Sequence, residues 1–149
     1  DGSGYKGYIG ASAVLYKGRE EASTIRYRLG PEEHHEVYEG ECVGMILALH
    51  LLRNEANPVA VSIWSDSTAA IAASDSTRSG PSHYILDIFH SLLMELKTTQ
   101  PDLRVTISWI PGHLGVEGNE RADEEAKRAA QGRSSPCSCL PRQLHRQLP

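Results

Sequence analysis

Apolar and polar residues alternate along residues 9–17 (IGASAVLYK), where Ile9, Ala11, Ala13 and Leu15 share one face, and again along 23–29 (STIRYRL). A period of two marks a strand with one buried face. The polar Gly18-Arg19-Glu20-Glu21 between them supplies a glycine to turn on, so the two segments read as a hairpin. The period then changes: Tyr38, Cys42, Met45, Leu49 and Leu52 recur every three or four residues, which predicts a helix over 38–53 with one apolar stripe. Asn57 and Pro58 follow it. Residues 59–64 (VAVSIW) form a short β-rich run ending at Ser65-Asp66-Ser67, small polar residues that suit a strand end and the cap of a short helix reaching about Ala73. The Ser-, Gly- and Pro-rich stretch 74–82 reads as a loop. Ile85, Phe89, Leu92 and Leu96 predict a second amphipathic helix, stopped by Pro101. Leu103, Val105, Ile107 and Trp109 alternate as a further strand that Pro111-Gly112 breaks, and 118–131 (GNERADEEAKRAAQ) is a strong helix former closed by Gly132.

With the first few residues counted as a strand, the order is β, β, β, α, β, α, α, β, α, which implies an α/β domain with helices against a mixed sheet. Composition changes this picture little. At 149 residues, 40% hydrophobic and 23% charged, the chain has the balance of one globular domain, and a core of that size needs neither disulfides nor a structural metal. Three cysteines, with Cys42 far from Cys137 and Cys139, argue against a secreted disulfide framework and for a reducing intracellular compartment, nuclear or cytoplasmic. No apolar run approaches the ~20 residues that span a bilayer, so no membrane is expected as a partner, and no charged-then-apolar leader opens the sequence.

Charge changes it more. A formal net charge of −4 discourages tight phosphate binding, which Lys and Arg mostly supply. The last residues carry Arg133, Arg142 and Arg146 and no acid, so the part ahead of them holds twelve basic against nineteen acidic residues, a formal −7. The tail 133–149 contains Pro136, Pro141 and Pro149 and reads as a disordered basic linker beyond a domain of residues 1–132.

Four acids stand at informative places: Asp1 at the chain start, Glu41 on the first long helix, Asp66 at a strand end and Asp123 in the last helix. Each alone has an ordinary explanation as a turn, solvated-face or capping residue. Together they weigh more, because Asp66 lies just past VSIW and Glu41 within one turn of the apolar stripe, which puts both carboxylates near the sheet rather than out in water. Charges there need compensation, and a divalent cation is the usual way to hold several carboxylates ionised in one site. Hard oxygen donors without a Cys or His cluster select Mg²⁺ or Mn²⁺ over zinc. Cys137, Cys139 and His145 offer three ligands where structural zinc takes four. His34 and His35 lack a partner at ligand spacing and read as solvated loop residues.

The segment WIPGHLGVEGNERAD, from Trp109 to Asp123, resembles the histidine loop and final aspartate of the type 1 ribonuclease H family. Asp1-Gly2-Ser3-Gly4 is similar to that family's opening motif, Glu41 with the following CVGMILAL to its acidic helix, and Ser65-Asp66-Ser67 to its third acidic motif. All four occur in family order, and the style is that of ribonuclease H domains carried by retroelement polyproteins. The resemblance implies a five-stranded mixed sheet flanked by helices and hydrolysis of the RNA strand of an RNA/DNA hybrid. It further implies Asp1, Glu41, Asp66 and Asp123 as ligands of two Mg²⁺ ions, with Mn²⁺ as an alternative, and His113 as a catalytic residue on a mobile loop. Gly2, Ser3, Ser67 and Thr68 would contact substrate, and an adjoining reverse transcriptase or other polyprotein domain would be a partner. Two departures accompany it. The sequence begins at the first catalytic Asp, so the first half of strand one is missing and a longer parent polypeptide is expected, and the basic substrate handle of some members is absent between Ala73 and Leu86. The competing readings are a non-catalytic ribonuclease H-like binding module and another metal nuclease such as an integrase or exonuclease; the His113 loop ahead of Asp123 favours ribonuclease H.

Overall fold

The computed structural model describes residues 1–149 apart from 56, 57, 59, 76–82, 113 and 114. The loop expected over 74–82 and His113 therefore fall largely or wholly outside the described residues. Three antiparallel strands open the chain: β1 (Gly2–Tyr5), β2 (Tyr8–Lys17) and β3 (Glu20–Pro31), in the spatial order β1-β2-β3. Lys6 and Gly7, at φ of 47° and 82°, form the two-residue turn between Tyr5 and Tyr8, because paired left-handed residues match the strands' own twist.

Helix α1 (Val37–Arg53) covers one face of this sheet and α4 (Glu117–Ala130) the other. The alternation in β2 explains how: Ile9 packs on α1 at Gly40, whereas Gly10 lies against Ala126 and Ala130, and the Ser12 hydroxyl donates to the Ala122 carbonyl at 2.5 Å. A capping box starts α1, the Glu36 N–H donating to Glu39 Oε1 at 3.2 Å while the Glu36 side chain accepts an N–H in return. Helix α3 (His83–Thr99) adds Ile85, Phe89, Leu92 and Leu96 to the core beside α1. Two parallel strands, β4 (Ala60–Ser65) and β5 (Arg104–Trp109), turn Val61, Ile63, Val105 and Ile107 toward the same core. Between β4 and α3 lies the short α2 (Thr68–Ser74), capped by Ser67. Among the described residues no helix is long and apolar enough to cross a membrane.

Three expectations are corrected. The single five-stranded sheet is instead two sheets, of three antiparallel and two parallel strands. Strand β1 pairs with β2 over only four residues, so among the described residues no strand bonds the far half of β2 to β4. His35 is not solvated: it is 3% exposed, with Nδ1 at 3.1 Å from Glu39 Oε2 one helical turn away. The tail, read as an unpacked linker, has a period of four in Leu140, Leu144 and Leu148, and all three are buried in the core cluster. It also runs along the outer edge of β3, where the Arg26 and Arg28 N–H groups donate to the hydroxyls of Ser135 and Ser134 at 2.9 and 2.8 Å. Packing of those leucines and satisfaction of an edge strand offset the ordering cost that the proline-rich composition suggested.

Candidate metal centre

Three elements each deliver one carboxylate to a single point. Asp1 leads into β1, Glu41 lies in the second turn of α1, and Asp66 follows the last residue of β4. One oxygen of each lies within 4.8 Å of the other two. Glycines permit the approach. Gly2 lies directly on the backbone of Gly40 and Glu41, and a Cβ on Gly44 would stand 2.6 Å from the Asp1 nitrogen, so larger residues at either place would push β1 off α1.

The cluster lacks compensation. Asp1 Oδ2 and Glu41 Oε2 are buried without a hydrogen-bond partner, and among the described residues neither carboxylate pairs with a Lys or Arg side chain. Burial pushes the Glu41 carboxyl up; the Asp1 ammonium and the Gly2 N–H oppose this, and the charges of Asp66 and Asp123 add to it. At an effective dielectric near 20, two like charges about 4 Å apart repel by roughly 4 kcal/mol, which outweighs what one backbone hydrogen bond returns. A divalent cation removes that repulsion and gives the orphaned oxygens a partner, so the donor set fits Mg²⁺ or Mn²⁺.

Asp66 is met from the far side by Asn119, whose Nδ2 donates to Oδ2 at 3.4 Å, and by Gly112, where a Cβ would come within 2.6 Å of the same oxygen. The segment before His113 thus abuts the cluster, while His113 itself lies outside the described residues. Asp123 lines the same cleft of about 650 Å³ but stands outside the group of three, because its Oδ2 accepts from Lys127 Nζ at 2.7 Å. Gly2 and Ser3 are buried in the cleft wall, Ser67 is half-buried beside Asp66, and Thr68 is exposed on the first turn of α2. The Ser67 hydroxyl is engaged as a helix cap, accepting from the Ala70 N–H at 3.1 Å.

Sequence reasoning missed Lys127, Asn119 and the Gly40/Gly44 pair. The i, i+4 spacing of Asp123 and Lys127 was a visible signal for the first; the contact of Asn119 with Asp66, 53 residues away, had none. Tyr38 also lines the cleft, its hydroxyl pushed up to about 12 by burial and by Cys42. Burial raises the Cys42 thiol to about 11, so it stays neutral and is no competitor as a ligand. Among the described residues no second group of three ligating side chains forms, at Cys137 and Cys139 or elsewhere.

No curated protein matches this sequence. Among solved structures it is similar to the prototype foamy virus protease-reverse transcriptase (CSH mutant, selenomethionine-labelled), with TM-score 0.58 and 19% identity over 83% of this chain and 18% of that one. It is also similar to the foamy viral protease-reverse transcriptase in complex with an RNA/DNA hybrid, with TM-score 0.59 and 14% identity over 83% of this chain and 20% of that one. The chain thus spans about a fifth of the length of these neighbours, and the likeness is one of fold. The family model for RNase H matches residues 1–131, a span that holds Asp1, Glu41, Asp66 and Asp123 in order, and the chain belongs to the RNase H family.

Proposed function

We propose that this chain is a metal-dependent endonuclease that hydrolyses the RNA strand of RNA/DNA hybrids, as one part of a larger retroelement polyprotein. The observation that carries the reading is the convergence of Asp1, Glu41 and Asp66 within 4.8 Å with two buried oxygens unpartnered. Family membership and a structural neighbour that holds an RNA/DNA hybrid support the substrate class. In this reading Asp1, Glu41 and Asp66 hold Mg²⁺ or Mn²⁺, and Asp123 joins them when Lys127 releases it. A pair of such ions, when bound, activates water and stabilises the leaving oxygen of a phosphodiester. Lys127, freed from Asp123, places its ammonium in the cleft where substrate phosphate would lie. The cleft wall at Gly2, Ser3 and Ser67, with Thr68 beside it, faces the shallow minor groove and its 2′-hydroxyls. His113 moves a proton near neutral pH or assists product release from the loop that follows Gly112, and His113→Ala slows turnover by roughly 10²-fold.

The test offers an RNA/DNA hybrid and a matching DNA duplex with Mg²⁺. Cuts in the RNA strand alone support the proposal. Hybrid binding without cleavage assigns the chain to a non-catalytic binding module, and equal cutting of the DNA duplex assigns it to another class of metal nuclease.

A further inference from the structure

A cavity of about 590 Å³ lies between the two sheets, and its walls are strand edges. On one side runs β2 from Ser12 to Tyr16, on the other β4 from Ala60 to Ser65. Met45, Ala48 and Leu51 of α1 close one face, and Val116 with Ala122 of α4 close the opposite one. At one end sits Asp1. Its nitrogen donates to the Ser12 carbonyl at 2.8 Å and its carbonyl accepts from the Ser12 N–H at 2.9 Å, a pair of bonds that continues the β1–β2 ladder up to the cavity mouth.

An antiparallel ladder repeats its bonded pairs every two residues, so the next backbone groups of β2 aimed into the cavity belong to Val14 and Tyr16. Among the described residues no strand pairs with them on that side, and β4 pairs only with β5. The direction of an occupant is fixed as well. Strand β1 runs antiparallel to β2, and the carboxylate of Asp1 meets that of Asp66 just past the C-terminal end of β4. A strand entering Asp1 therefore runs parallel to β4 toward the acidic cluster.

We infer that this slot is a strand-acceptor site, filled by an extended, uncharged, β-branched segment of about five residues joined to the amino end of Asp1. Five positions of β2, Ala13 to Lys17, remain beyond the existing ladder, which at ~3.3 Å per residue is a strand of roughly 17 Å. Both faces of the slot are apolar, so the occupant's side chains are apolar in both directions, the pattern of a strand buried on both sides. The opening between α1 and the Val116 end of α4 leaves no charged side chain along the strand's path until the acidic end. Seating it joins five strands into one sheet in the order β3-β2-β1-β4-β5 and ties Asp1 to Asp66 through continuous hydrogen bonding. The inference concerns the sheet and stands whether or not the cluster cuts nucleic acid.

Amide hydrogen exchange and thermal midpoint test it on three chains: the 149-residue chain, the same chain preceded by five Val, Ile and Thr residues, and the same chain preceded by five Gly, Ser and Asp residues. The apolar extension is expected to raise the midpoint and to slow exchange at Val14, Tyr16, Val61 and Ile63 together, each by roughly tenfold, while the polar extension changes neither. Protection confined to β2, or equal effects of the two extensions, overturns the inference. A 149-residue chain that is dimeric, and stays dimeric with the apolar extension, also overturns it by assigning the slot to a second copy.

Discussion

Glu41 and Glu125 are both helical glutamates buried to within 8% and 1% of full enclosure, and their neighbours are opposite in kind. Glu125 sits among three guanidinium groups: Arg26 reaches Oε2 at 2.5 Å, Arg128 reaches Oε1 at 2.9 Å, and Arg121 bonds that same oxygen. Burial alone would push its carboxyl up, but the hydrogen bonds from Arg121 and Arg26 prevail and hold it below the ordinary range. Glu41 has two carboxylates for company, no guanidinium, an orphaned oxygen and a carboxyl pushed up. One acid is complete within the fold; the other becomes complete only with a ligand. The difference separates scaffold from site on physical grounds, because an unpaired buried charge persists only where something outside the chain compensates for it.

The largest way to break the comparison is Asp66→Asn, which keeps the shape and removes a charge from the cluster. Mg²⁺-dependent cleavage of hybrid should fall by roughly 10³-fold or more, the scale of several kcal/mol of lost transition-state stabilisation, with the metal-free thermal midpoint unchanged or raised. Turnover close to that of the parent removes Asp66 from the site.

Glu125→Gln tests the opposite pole. Losing one member of a buried ion network costs about 3 kcal/mol, the low end of the usual range because Arg121 and Arg128 stay partly exposed. For a chain of this size the midpoint should drop by about 6–12 °C. A depressed folded-state pKa means this stabilisation is present above the ordinary Glu value near 4.5 and is lost as pH falls through the lower folded value. Parent and variant stabilities, measured by urea titration, should therefore converge in acid, and a gap that persists there contradicts the ion-network account.

Glu41→Gln should act with the reverse sign. Its raised carboxyl binds a proton more tightly in the fold than when unfolded, so the parent loses stability as pH rises from about 4.5 through the folded value. Metal-free at pH 7 the variant should melt about 2–4 °C higher, for roughly 1 kcal/mol of relieved repulsion, and it should lose the stabilisation that Mn²⁺ gives the parent. A variant that melts lower at pH 7 and still responds to Mn²⁺ places Glu41 with the scaffold. Lys127→Met is the smallest perturbation, since an exposed i, i+4 pair contributes only about 0.3–0.5 kcal/mol. Stability should barely move, while calorimetric Mn²⁺ affinity rises a few-fold as Asp123 becomes free; unchanged affinity shows that Asp123 takes no part in binding.

The legible parts of this protein were those with local causes. The alternation in 9–17 and 23–29, the apolar stripe of 38–53 and the small polar residues after VSIW each predict an element that forms with nearly the expected bounds. Asp66 and Glu41 stood out because strand ends and apolar stripes are visible in sequence, and Asp1 and Asp123 because they complete a motif order. Illegible parts depend on distant partners. Nothing near His35 announces that Gly30, Glu39 and Gln147 enclose it, and a period of four spread over three leucines among prolines is too sparse to read as a buried face.

The sequence by itself determined the order of elements, the family and the four acids, because periodicity, caps and motif spacing are written within a few neighbouring residues. Only the tertiary structure decided that three of those acids meet while Lys127 holds the fourth, that the tail closes the β3 edge, and that the strands divide into two sheets around an apolar slot. Those outcomes turn on which backbones approach closely enough to bond and which charges share a dry space, and both are set by packing between segments that lie tens of residues apart.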